Sequence, residues 1–487
     1  MRQVRLFTSN FNMKRRLIVS FIISLVCLLA IPLTIASFGF ICPAQFDETY
    51  YGELPYMFKR LKNGKEGKIV IVGNSAIAFA SRSDLIEKEL NKEVVSFALY
   101  GAIGTKAMMD LSKVGIKKND IVILSPETSD QGLSLYFSSE NMWMSIDGHY
   151  DMLSYVAEDN RKNMIGNFAH FASSKYGYFL KGQKPKVDGV YQQSSFNLDN
   201  KEVGYMTYER EYNMMLNGFD SNAPIIFDKE YLKDDFISYM NDYAKYVAKK
   251  GATLYYNFVP YNSLAVSSSN EEIDAFYDEL VSKIDFPVLG NPHDYIFDYE
   301  WFYDNNSHLN SAGTHLYNRQ LVEDLKVVLN DSTPTNIDIP EKPDIPVPEY
   351  EDGDNSDLDC FNYENIADGY QITSLTEKGK EKSTLIIPST YNGLPIIAFN
   401  ANTFKDNKKI VQVIVPTNTR TLSDYAFEGC YNLKKIIIQH DNPNKINVGT
   451  TLLFGADNCN IYVKESCYDI FTTHYNWGYY RDRLRKY

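Results

Sequence analysis

The chain has 487 residues, 44% hydrophobic and 14% aromatic, so it is too long for one ordinary core and too apolar for wholesale disorder. Its 49 Lys and Arg against 62 Asp and Glu leave a net charge of −13, the wrong sign for neutralising phosphate backbones, which argues against a nucleic-acid partner. The six cysteines form no CxxC pair and no zinc-like Cys/His spacing, so the sequence implies no disulfide framework, no metal site and no cofactor.

Residues 1–16 carry Arg2, Arg5, Lys14, Arg15 and Arg16 and no acid. Residues 17–41 then run without a charge, long enough to cross the hydrocarbon core of a bilayer as a single helix. The basic flank places the tail in the cytoplasm and sends the remaining chain outside, as a single-pass signal anchor. Cleavage as a signal peptide at Thr34-Ile35-Ala36, giving a secreted protein, is the competing reading, although the run is long for a signal core. Gly39-Phe40-Ile41 before Cys42 puts a bulky residue where a lipoprotein signal wants small ones. The excess of Lys over Arg, with frequent Asn and Tyr, associates the composition with an AT-rich Gram-positive bacterium.

Over 45–329 the pattern is that of alternating strands and helices. Lys68–Gly73, Val94–Leu99 and Ile121–Ser125 are short, β-branched strands with helical patterns at Ser81–Leu90 and Thr105–Val114 between them. A later unit adds a helix at Asp235–Lys250, a strand at Thr253–Phe258 and a closing helix at Ser311–Leu329. This βαβ alternation predicts an α/β domain with a flavodoxin-like, doubly wound parallel sheet. Residues 130–225, rich in Tyr, Phe, Met and Asn, show no clean period and are expected to form an insertion over the sheet edge. Between 330 and 357, nine acids stand against one base and carry −8 of the net charge, and five prolines fall in the same stretch. It should be an extended, undocked spacer.

Beyond it the sequence repeats. Pro416 to Gln439 and Phe404 to Phe427 are each 23 residues apart, while Pro388 to Pro416 is 28, the excess fitting an inserted turn at Tyr391–Pro395. A strand and a turn per repeat cannot bury an apolar face alone, so the copies must stack as a solenoid with Cys430 and Leu433 in its core. The segments IIPSTYNGLPI, AFEGCYNLKKI and IYVKESCYDIF…NWGYY resemble the BspA-type leucine-rich repeats of bacterial surface proteins, over 358–487. That resemblance implies a protein or host-surface ligand for the repeats.

Three segments of the α/β part could carry chemistry. Gly73-Asn74-Ser75 closes the first strand and opens a helix, where free N–H groups can face a developing oxyanion. Tyr100-Gly101 follows the second strand at the same edge. Just before the last helix, Asp304 stands four residues ahead of His308, and an Asp that orients an imidazole is what a serine hydroxyl needs to become nucleophilic. Together, IVIVGNSAIAF, FALYGAIG and YDNNSHLNSAG resemble the blocks of the SGNH/GDSL hydrolase family. The resemblance implies Ser75 as nucleophile, His308 as base, Asp304 as its orienting acid and Gly101 as an oxyanion donor. Two features depart from the pattern: Ser125-Pro126-Glu127-Thr128 lacks the asparagine of the third block, and Asn305 rather than an acid sits three residues before His308. The expectation is a membrane-anchored extracellular esterase or O-acyltransferase acting on acyl groups of cell-wall or surface glycans. The alternative is an inert surface adhesin or scaffold that binds through its repeats.

Overall fold

The computed structural model describes residues 2–487 except Asp188, Leu216, Asn217, Ser221 and 344–354, with side chains from residue 13 onward. The chain divides into two compact units, Met1–Asn213 with Pro224–Pro343, and Met214–Ala223 with Asp344–Tyr487.

The first unit begins with helix α1, Arg2–Ile41. Its stretch Met13–Ile41 is the one helix among the described residues long and apolar enough to cross a membrane, and its most apolar window is wholly exposed. A helix of a soluble core would instead be buried, so a membrane anchor or a signal sequence remains.

Four strands, β1 (Ile69–Gly73), β2 (Val94–Ala98), β3 (Ile121–Ser125) and β4 (Thr253–Tyr256), form one parallel sheet in the order β2-β1-β3-β4. β1 and β2 are buried at every residue, as strands covered on both faces must be. The expected helix at Ser81–Leu90 appears as Ser83–Leu90, and a separate short helix, α2, Ser75–Ala80, precedes it and ends where Ser81 turns to extended backbone. The other expected helices appear at Thr105–Ser112, Asp234–Lys249 and, closing the unit, Gly313–Leu329.

The aperiodic insertion contains a 24-residue helix, α3, Glu158–Lys181, which the sequence pattern did not announce. Acids in its first turn and Gly182 in the left-handed region just past its end were the available signals. The spacer also begins later than 330. Lys326 Nζ donates to the carbonyls of Thr333 and Pro334, Asn336 N to Glu89, and His315 meets the Asp338 carbonyl, while Ile337 is buried and Lys342 pairs with Asp298. Residues 331–343 therefore pack as a strap on the first unit, because one apolar anchor and a row of carbonyl acceptors outweigh the self-repulsion of the acids. Residues 344–354 lie outside the described residues, and the last three of the expected spacer belong to the second unit, where Asn355 bonds Thr390 and the buried Asp357 accepts the Ile386 N–H.

The second unit is a coil of two sheets. One runs Thr384–Ile386, Gln412–Val415, Lys435–Ile438, Asn460–Val463, Leu484–Lys486, all parallel. Gln412 faces Lys435, 23 residues on, and Thr384 faces Gln412, 28 residues on, which are the repeat lengths in the sequence. The longer repeat holds a hairpin in which Thr390 pairs Pro395 and Asn392 and Gly393 both have positive φ, as a two-residue turn of this hand requires. The other sheet is capped by the antiparallel pair Phe361–Ile366 and Gly369–Leu375. Equivalent side chains stack between coils: Phe404 lies on Phe427 at 4.5 Å, and Leu385, Val413, Ile436, Ile461 and Leu484 are fully buried. Cys430 and Leu433 are both fully buried, and burial pushes the Cys430 thiol up to about 12.

In the first unit, one buried ion pair fixes the start of the sheet. Lys68 Nζ lies 2.5 Å from Asp120 Oδ2 with both side chains wholly buried, and the Asp120 carboxylate also accepts the N–H groups of Gly67, Lys68 and Lys117. Asp120→Ala strands the ammonium in the core, so the unit should lose about 3–5 kcal/mol. Chemical denaturation followed by Trp143 and Trp301 emission in a Trp477→Phe background measures it, and a loss under about 1 kcal/mol would show that the pair does not fix this edge.

Candidate active site

The parallel register brings Gly73 level with Ala98 and Ser125, so the segments that follow β1, β2 and β3 meet at one carboxyl edge. Asn74 caps α2 there: its Oδ1 accepts from Ala76 N at 3.0 Å, and its Nδ2 donates to Glu127 Oε2 at 2.8 Å. Ser75 is the first residue of α2 and is partly exposed, and its hydroxyl has no hydrogen-bond partner among the described residues. Gly101 lies against Asn74, where an added Cβ would sit an ordinary 3.5 Å from Nδ2. Space does not demand glycine there. It does at Gly104, with φ of 99° and a Cβ that would fall 2.2 Å from the Tyr136 carbonyl.

His308 arrives from a loop held by its own side chains. Asn305 Oδ1 accepts the N–H groups of Ser307 and His308, and Asn310 binds the Glu300 and Phe302 carbonyls and the Gly313 N–H. The imidazole is only 3% exposed. Its Nδ1 lies 2.8 Å from Asp304 Oδ1, and Tyr191 OH donates to the other Asp304 oxygen at 2.5 Å. Asp304 is thus the acid that meets the imidazole, and Asn305 shapes the loop. The Phe79 ring stacks on the imidazole at 3.8 Å and 11°. Phe79 stands four residues after Ser75, so the ring that covers His308 and the serine share one face of α2. Nε2 has no hydrogen-bond partner among the described residues. Asp304 and His308 are brought together, whereas Ser75 makes no hydrogen bond to His308.

Three residues that the sequence reading did not single out hold the site. Phe79 covers the imidazole and Tyr191 holds the Asp304 carboxylate. Arg210, 98 residues from His308 in sequence, is buried and donates to the carbonyls of Leu309, Tyr208 and Phe79, joining the His308 loop to α2. A buried guanidinium among carbonyls is costly, and burial pushes its pKa down to about 10. Between Glu209 and Glu211 in sequence, it reads as one of a run of surface charges, so nothing local pointed to it.

Two carboxyl groups flank the imidazole with opposite shifts. Burial pushes Asp304 up, but the hydrogen bond and charge of His308 and the Tyr191 hydroxyl outweigh it, leaving the carboxyl below its ordinary range. Burial also pushes Glu127 up, and there His308 and the Asn74 amide offset it only in part.

No protein-family model matches the chain, and no curated protein matches it. Among solved structures it is similar to a leucine rich cell surface protein of Faecalibacterium prausnitzii A2-165, at 21% identity over 24% of this chain and 30% of that one, with a TM-score of 0.19. It is also similar to the leucine rich repeat protein of T. pallidum, at 18% identity over 22% of this chain and 68% of that one, with a TM-score of 0.16. The chain spans under a third of the first protein's length, and the solenoid stands on its own strand register rather than on these likenesses.

A carboxyl whose pKa is raised by folding lowers stability as pH climbs past its unfolded value near 4.3. Glu127→Gln keeps an acceptor for Asn74 and removes the charge, so it should raise the thermal midpoint at pH 7 to 8, with the gain fading below about pH 4, where both states are protonated. Midpoints of the two proteins across pH 4 to 8 check this, and a gain independent of pH would remove Glu127 from the electrostatics of the site.

Proposed function

We propose that this is a membrane-anchored cell-surface scaffold that binds a protein or host-surface ligand through its solenoid. One observation carries this reading. Among the described residues, every residue other than glycine with positive φ is Asn or Asp except Tyr425, at φ 59°. Asn402, 23 residues earlier, has the matching conformation at φ 63°. A tyrosine there is strained by roughly 1–2 kcal/mol relative to asparagine. Its ring is nevertheless 41% exposed, beside the exposed Phe454 of the next coil at 5.8 Å, with Tyr431 also exposed. Strain kept for an exposed aromatic pair is the mark of a contact surface. Tyr425→Asn should raise the melting temperature of the full chain while weakening binding at least about tenfold to whichever extracellular-matrix protein or surface polysaccharide the wild type binds on a biosensor panel. Unchanged affinity would show that this face is not the contact.

A second reading is favoured by the Asp304–His308 pair packed on the helix that Ser75 opens. In it, residues 45–329 form an SGNH/GDSL-like, flavodoxin-like domain and act as a serine esterase or O-acyltransferase on acylated surface glycans. Ser75 attacks the ester carbonyl, and His308 Nε2 takes its proton and returns it to the leaving alcohol. Asp304 keeps the proton on Nδ1 and balances the imidazolium, while N–H groups at the start of α2 and of Gly101 face the oxyanion. Water or a sugar hydroxyl then takes the acyl group. The strand order and the shared carboxyl edge support this reading; the lack of a third-block asparagine in Ser125-Pro126-Glu127-Thr128 favours the inert scaffold. The full chain in detergent should be labelled at Ser75 by a fluorophosphonate and should hydrolyse short aryl esters. Ser75→Ala and His308→Ala should each cost about 10³-fold, and Asp304→Asn about 10²-fold. Folded wild type that is neither labelled nor faster than Ser75→Ala leaves the scaffold alone.

A further inference from the structure

The end of α1 is built into the first unit. Gly39 is buried, and a Cβ on it would meet the Phe168 ring at 2.3 Å and Ala172 at 3.0 Å, so the two helices approach as closely as glycine allows. The Gly39 carbonyl accepts from Tyr150 OH at 2.6 Å and from Lys175 Nζ at 3.1 Å, and Lys175 is itself buried against Asp147. On either side, Phe38 stacks on Tyr176 at 4.3 Å and Phe40 on Phe168 at 4.8 Å. Rising residue numbers in α3 meet falling ones in α1, so the helices run antiparallel here and α3 heads back towards the apolar run.

That direction sets a depth. About twenty residues span the hydrocarbon core, and counted from the basic Lys14–Arg16 flank they end near Ala36. Tyr176 lies beside Phe38, so Phe179 and Leu180 fall roughly 5–6 Å further along, level with the outer boundary. They are 46% and 64% exposed, which nothing in the folded unit explains. Between Met164 and Leu180 the only formally charged residue is the buried Lys175. Exposed Lys181 follows, placed to reach headgroups.

We propose that the C-terminal turn of α3 is a second membrane contact: Phe179 and Leu180 insert into the outer interface of the bilayer that α1 crosses, so the first unit is held on the membrane surface rather than swinging from its anchor. The proposal rests on α1 being a retained anchor.

The full chain in nanodiscs of phosphatidylcholine and phosphatidylglycerol tests both. Cys27 is exposed within the apolar run, whereas the other five cysteines are buried, so a bimane on Cys27 reports insertion of α1. A bimane on Leu180→Cys, in a Cys27→Ser background, reports the turn, and one on Ile165→Cys reports the other end of α3, about 22 Å away. With deep nitroxide lipids Cys27 should be quenched. With interfacial nitroxide lipids the label at position 180 should lose at least about half its emission, and that at 165 much less. A quenched Cys27 with a water-like label at 180 overturns the second contact and leaves the anchor standing. An unquenched Cys27 overturns the anchor and the contact together.

Discussion

A helix of six residues has no stability of its own, and the candidate site depends on how α2 is held. Its start is fixed by Asn74, which caps the first turn and is itself gripped by Glu127. Its end is fixed by Asn318 of the closing helix, which donates to the Ala80 carbonyl and accepts from Arg82 N. Its flank is fixed by Arg210, which shares its guanidinium between Phe79 and Leu309. These ties run to distant stretches of the chain, so α2 forms only when the whole unit has folded. The serine, its neighbouring N–H groups and the ring over His308 are positioned by tertiary structure and not by local propensity.

The electrostatics follow from that packing. Asp304 receives a phenol and an imidazole and stays ionised, whereas Glu127 receives one amide in a drier place and resists ionisation. The two carboxyl groups thereby shift in opposite directions, because environment and not residue type decides.

What was legible in the sequence was what has a strict period. The strands of the sheet are continuous apolar runs, and the solenoid repeats at the spacing of its own register, so both could be read from residue types alone. The insertion helix could not, because Asn160 and Lys175 sit on its buried face with Met164, Phe171 and Ala172 and blur the apolar stripe. Asp304 and His308 lie four residues apart and announced themselves. Tyr191 and Arg210 lie about a hundred residues away, and only the folded backbone brings them in. The strap failed for the opposite reason: charge and proline are local and visible, but the single buried Ile337 and the carbonyls that Lys326 collects are contacts no composition reveals.

The solenoid's cysteines have a use beyond packing. Cys360 lies beneath the capping hairpin, Cys430 and Cys459 in successive coils and Cys467 near the far end, all free and all buried. A thiol sealed in this way reacts only when its own layer opens, so the rate at which each is alkylated, compared with an unfolded peptide, converts into a local opening free energy. The protein therefore carries four native gauges along the axis of its repeat array. Their rates would reveal whether the coils peel away singly from an end or open together, the property that distinguishes a chain of weakly coupled springs from a rigid rod.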